Sequence, residues 1–102
     1  FMRASFGIFH GEPAQVRIWF APEVAGYISE KTWHATQRIE TQKDGSLIFE
    51  AEVAGTTEIK YWIMSWGSQA VVLSPDSLHM QIRKESEALL KNYEKIPEQL
   101  QA

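Results

Sequence analysis

The chain has 102 residues, enough for one domain, and its 44% hydrophobic and 12% aromatic side chains can fill a core, which excludes a disordered segment. Lys and Arg number 10 against 13 Asp and Glu, a formal net charge of −3, so the basic excess of a general nucleic-acid binder is missing. Cysteine is absent, which excludes disulfides, thiolate metal sites and cysteine nucleophiles, and the longest apolar runs, such as Tyr61-Trp62-Ile63-Met64, are too short to span a membrane.

The chain begins at Phe1 without a signal-peptide pattern, and is expected to be a cytoplasmic piece of a longer protein. Gly7, Gly11 and Pro13 break up a leading segment over residues 1–13, within which Ser5-Phe6-Gly7-Ile8-Phe9 is a short strand candidate. Residues 15–20 alternate, with Val16, Ile18 and Phe20 on one side and Arg17 and Trp19 on the other, the pattern of a half-buried strand. Pro22 and Glu23 then open a helix, because proline suits the first helical position and an acid suits the positive dipole end. Val24, Tyr27 and Ile28 mark its inner face, together with Lys31 at its basic end. Residues 36–42 form a second strand with Ile39 as its core residue, and Asp44-Gly45 predicts a hairpin turn.

The clearest strand covers residues 47–53. Leu47, Phe49, Ala51 and Val53 share one face, and Ile48, Glu50 and Glu52 the other. After Gly55, Thr56 or Thr57 caps a helix whose Ile59, Trp62, Ile63 and Trp66 follow helical spacing and which Gly67 stops. Residues 69–73 make a short strand. Ser74-Pro75-Asp76 opens a long final helix with the stripe Leu78, Ile82, Leu89, Leu90 and Tyr93, which Pro97 is expected to end.

This order, with a weak internal repeat of strand, helix and strand, predicts an α+β fold: a ferredoxin-like split βαβ sandwich (βαββαβ) with an additional C-terminal helix. The domain is expected over residues 14–96, with a frayed C-terminus over 97–102. Two helices cover one face of the sheet. The open face carries Arg17, Trp19, Arg38, Glu40, Ile48, Glu50 and Glu52, and Trp19 and Ile48 need a cover: the last helix, a partner subunit or a ligand.

Candidate chemistry is sparse. His10, His34 and His79 show no metal-ligand spacing, and there is neither a G-x-S-x-G elbow nor a glycine-rich phosphate loop, so no cofactor is implied. Glu40, Glu50 and Glu52 lie on an open face, where carboxylates pair with arginines such as Arg17 and Arg38 rather than work as a general acid and base; an enzyme is not expected. Arg17, Trp19 and Arg38 have the composition of a platform that stacks a base and binds phosphate. The competing expectation, favoured by the three acids, buries Trp19 under the last helix and pairs the arginines with those acids. Trp33-His34 is expected to plug the end of the sheet, and Trp62, Ile63 and Trp66 to be core.

Five motifs in order resemble the C-terminal part of bacterial WYL-domain transcriptional regulators. Ser5-Phe6-Gly7-Ile8-Phe9 looks like the closing strand of a WYL domain. The rest is similar to the extension called WCX: Val16-Arg17-Ile18-Trp19-Phe20-Ala21-Pro22-Glu23-Val24-Ala25, Trp33-His34-Ala35-Thr36-Gln37-Arg38-Ile39, Asp44-Gly45-Ser46-Leu47, and Ile63-Met64-Ser65-Trp66-Gly67 followed by Val71-Val72-Leu73-Ser74-Pro75. The resemblance implies a ferredoxin-like regulatory and dimerisation domain without catalytic activity, which helps relay an effector signal. It implies a homodimer, through the sheet face or the last helix, and contact with DNA only through an N-terminal helix-turn-helix domain absent from this chain. A single-stranded nucleic acid or nucleotide-like effector, contacted by Arg17, Trp19 and Arg38, is the alternative role.

Overall fold

The structure, a computed structural model, describes residues 13–100, the side chain of residue 99 excepted. The strand expected within the leading segment lies outside the described residues. The elements are β1 (Pro13–Phe20), α1 (Pro22–Glu30), β2 (Arg38–Thr41), β3 (Leu47–Ala54), α2 (Thr57–Met64), a 3-10 turn (Gly67–Gln69), β4 (Ala70–Ser74) and α3 (Asp76–Leu100). The sheet order is β2-β3-β1-β4 and every adjacent pair is antiparallel. This is the ferredoxin-like arrangement expected, with β3 inserted between β1 and β2, and β1 between β3 and β4.

Strand parity divides the sheet. Val16, Ile18 and Phe20 of β1, Leu47, Phe49, Ala51 and Val53 of β3, and Ala70 and Val72 of β4 all enter the core, where Ala25 and Ile28 of α1 and Ile59, Trp62 and Ile63 of α2 meet them. Tyr27, expected on the inner face of α1, lies at the margin of that face: it is half exposed, yet its ring stands 6.0 Å from that of Trp33 and 5.7 Å from that of Trp66. Lys31 is exposed and caps the helix from outside it.

Loops hold the elements in place by local hydrogen bonds. Gly45 N–H donates to Gln42 O at 3.1 Å and Gln42 N–H donates to Ser46 O at 2.8 Å, a three-residue hairpin loop whose last position, Gly45, has φ of 92°. A side chain there would be strained, so the turn requires glycine. Asp44 Oδ1 accepts from both the N–H and the hydroxyl of Ser46, at 3.0 and 2.6 Å. Between α1 and β2, Gln37 Oε1 accepts the N–H groups of Trp33 and His34 while Gln37 Nε2 donates to Lys31 O. β2 is shorter than expected. At Thr36 a side chain replaces the ladder: its hydroxyl accepts the N–H of Glu52 at 2.9 Å.

α3 follows β4 across a cis Ser74–Pro75 bond and packs its first turns against β4 and α2. Leu78 is fully buried and Ile82 rests on the core, whereas Leu89, Leu90 and Tyr93 of the expected stripe are exposed. Pro97 does not end the helix, which continues to Leu100. A proline removes one N–H and crowds the carbonyl four residues back. In the last turn that loss touches a single bond.

Phe49 is fully buried at the centre of β3, so Phe49→Ala is expected to lower the unfolding free energy by about 3–5 kcal/mol in urea melts followed by circular dichroism. A loss under about 1 kcal/mol would show that this ring is not part of a close-packed core.

Candidate functional site

The face of the sheet away from α1 and α2 is built in two cross-strand rows. In the first, Arg38 of β2, Glu50 of β3 and Arg17 of β1 lie abreast, and Ser74 of β4 follows. In the second, Glu40, Ile48, Trp19 and Val71 lie abreast over the same four strands. A register shift between Arg17 and Ile18 leaves Leu73 as the unpaired, exposed residue of a bulge in β4.

Glu50 joins the charged row. Arg17 Nε donates to Glu50 Oε2 at 2.6 Å, and Arg38 donates from its terminal nitrogen to Glu50 Oε1 at 3.0 Å. The Arg17 hydrogen bond, with Arg38 acting in the same sense, holds the Glu50 carboxyl below its ordinary value, so it is ionised at neutral pH. Two guanidinium groups against one carboxylate leave this triad with one surplus positive charge. Glu40 and Glu52 do not share in it; they stand opposite Ile48 and Gln15.

The three sequence-predicted residues Arg17, Trp19 and Arg38 are therefore brought onto one face. Trp19 is half-buried between Ile48 and Val71, and it is not under the last helix as the competing expectation had it, since α3 packs on β4 and α2. The arginines do pair with an acid, Glu50 alone. Val71, on the same apolar row and 42% exposed, carries no signal in the sequence, where Ala70, Val71, Val72 and Leu73 are uniformly apolar.

The other candidates have structural partners. Trp33 is buried; its indole N–H donates to Ile28 O at 3.0 Å and closes the end of α1. His34 Nδ1 accepts the Thr36 N–H at 3.1 Å. His79 Nδ1 lies 2.8 Å from Val72 O, and since a carbonyl only accepts, Nδ1 carries the proton. His10 lies outside the described residues. Among the described residues no group of three His, Asp or Glu side chains could hold a metal ion, and no helix is long and apolar enough to cross a membrane.

A second concave feature lies between the C-terminal end of α2, β4 and the first half of α3. It is an apolar groove of about 490 Å³ walled by Ile63, Met64, Val71, Ile82 and Leu89, with His79 and Arg83 at its polar margin.

A family model described as the WCX domain matches residues 12–90. No curated protein matches the chain.

Glu50 fixes the sign of one pH effect. Its folded value is lowered, so its stabilisation is present above the ordinary value of 4.5 and is lost as pH falls through the folded value. Asp44, held low by its hydrogen bonds from Ser46, acts in the same direction. Between about pH 5 and pH 3 the parent is expected to lose more stability than Glu50→Gln does, measured by urea melts at each pH. Identical pH profiles would mean that the Arg17–Glu50–Arg38 row does not persist in solution.

Proposed function

The chain belongs to the WCX domain family, the regulatory domain associated with WYL-type regulators. From that premise we propose that it is the C-terminal oligomerisation and relay domain of a bacterial transcriptional regulator. In this role it joins two copies of the protein in the cytoplasm and passes the effector state of a WYL domain to a DNA-binding domain, both outside these 102 residues.

The observation that carries the reading is the family match over residues 12–90, on a fold that buries Ile48 without a partner chain but leaves Val71 and Leu73 exposed on β4 and Leu89, Leu90, Tyr93 and Ile96 exposed along its last helix. Exposed apolar surface of this kind marks association. The family is regulatory rather than enzymatic. The most perturbed carboxylate of the sheet face, Glu50, is held ionised by two arginines, the opposite of what a general acid at neutral pH requires.

The sheet face supports a second reading. Locally, the Arg17–Glu50–Arg38 triad keeps one surplus positive charge beside the half-buried indole of Trp19, although Glu40 and Glu52 bring the face as a whole to a net negative charge. This local pairing suits a ligand with one anionic group and a flat ring, such as a single-stranded nucleic acid or a nucleotide-like effector.

Sedimentation at high micromolar concentration tests the first reading: a dimer is expected, and a monomer at every concentration overturns the oligomerisation role. Titration with labelled single-stranded oligonucleotides at low and physiological salt tests the second. Binding that weakens with salt is expected, with Trp19→Ala losing about 1–3 kcal/mol per stacked base. No binding at either salt, or unchanged binding by Trp19→Ala, removes the sheet face as an effector site.

A further inference from the structure

α3 is longer than the domain needs. Leu78 and Ile82 complete the core, yet the helix runs on to Leu100, about 27 Å beyond Ile82 at the α-helical rise. Ile82, Ser86, Leu89, Tyr93, Ile96 and Leu100 follow one another at alternating steps of four and three residues, the spacing of a coiled-coil seam. Leu89, Tyr93, Ile96 and Leu100 are 51%, 71%, 39% and 80% exposed. Lys91, Glu94, Lys95 and Glu98 fall off the seam. The family match covers residues 12–90 and so takes in the seam as far as Leu89.

The two halves of the seam differ in surroundings. Ile82, Ser86 and Leu89 form the α3 wall of the apolar groove of about 490 Å³. Tyr93, Ile96 and Leu100 project beyond it and stand exposed. One half is thus a receptor and the other a set of unfilled knobs.

We propose that two copies of this chain pair through antiparallel α3 helices, about a two-fold axis near Lys91, each seating Ile96 and Leu100 in the groove of the other. The seam is its own complement under that symmetry. Leu89 meets the partner's Tyr93, Ser86 meets the partner's Ile96, and Ile82 meets the partner's Leu100, so each contact occurs twice, as an isologous interface requires. Charge does not oppose it: from residue 83 onward α3 carries Arg83, Lys84, Lys91 and Lys95 against Glu85, Glu87, Glu94 and Glu98. A parallel pair would leave both grooves empty and both domains crowded at one end. An unrelated helix could fill the groove but would leave the knobs bare.

The inference rests on the oligomerisation role proposed above and names its surface. Sedimentation equilibrium of the full chain, with circular dichroism as the check on folding, compares the parent with Ile96→Glu and with Lys95→Gln off the seam. Ile96→Glu is expected to raise the dimer dissociation constant about a hundredfold, since each dimer loses the contact twice, and Lys95→Gln to leave it unchanged. Orientation is read by mixing singly substituted Ser86→Cys and Ile96→Cys chains, which have no other cysteine. A mixed disulfide between the two variants is expected. A parent that stays monomeric overturns both this inference and the oligomerisation role. A dimer that persists in Ile96→Glu keeps the role and overturns the seam. Disulfides only between like variants overturn the antiparallel arrangement.

Discussion

Trp62 of α2 is the side chain that ties this domain together. Its ring lies 5.6 Å from Phe20 of β1, 5.4 Å from Phe49 of β3, 5.1 Å from Trp33 of the α1–β2 loop and 6.3 Å from Trp66 beyond α2. Each such pair adds about 0.5–1.5 kcal/mol beyond the area it buries, and the tilted and edge-on geometries are those that aromatic quadrupoles favour. α1 joins the cluster through the ring of Tyr27, which packs on Trp33 and Trp66, and through the indole N–H of Trp33, which donates to Ile28 O. The cluster also explains the economy of the opposite face. Three of the four tryptophans of the chain are used on the helix side, and Trp19 alone remains beyond the sheet.

Much of the fold was legible because strand parity is a rigid code. Alternation in β1 and β3 gave both faces of each strand, and the spacing of Ile59, Trp62 and Ile63 gave the inner side of α2. What parity cannot show is how an element ends. β2 is short because the Thr36 hydroxyl satisfies the backbone of Glu52, a side-chain substitute that carries no periodic signal. α3 passes Pro97 because a proline in a final turn sacrifices little, so a residue that stops a helix in mid-course is not a stop there.

The sheet face was legible to the same depth. That Arg17, Trp19 and Arg38 share it follows from parity. That Glu50, and neither Glu40 nor Glu52, holds both arginines depends on register, which the three-residue loop ending at Gly45 sets for β2 against β3. A one-residue slip would exchange core and solvent faces along β2. The bulge at Leu73 left no trace in the sequence pattern, since Val71, Val72 and Leu73 form a uniformly apolar run that fits either register.

The strand order has a consequence for how the domain comes into being. β1 is made before the other strands and yet is central, paired on one side with β3 and on the other with β4. Arg17 waits for Glu50, 33 residues later, and the second edge of β1 stays bare until β4 is complete. During synthesis the β2–β3 hairpin can close locally, whereas β1 can pair only after β3 has been made. Such non-local closure is slow, and it exposes an apolar strand in the meantime. The order of translation therefore makes β4 the strand that covers the last bare edge of β1 and completes the four-stranded sheet.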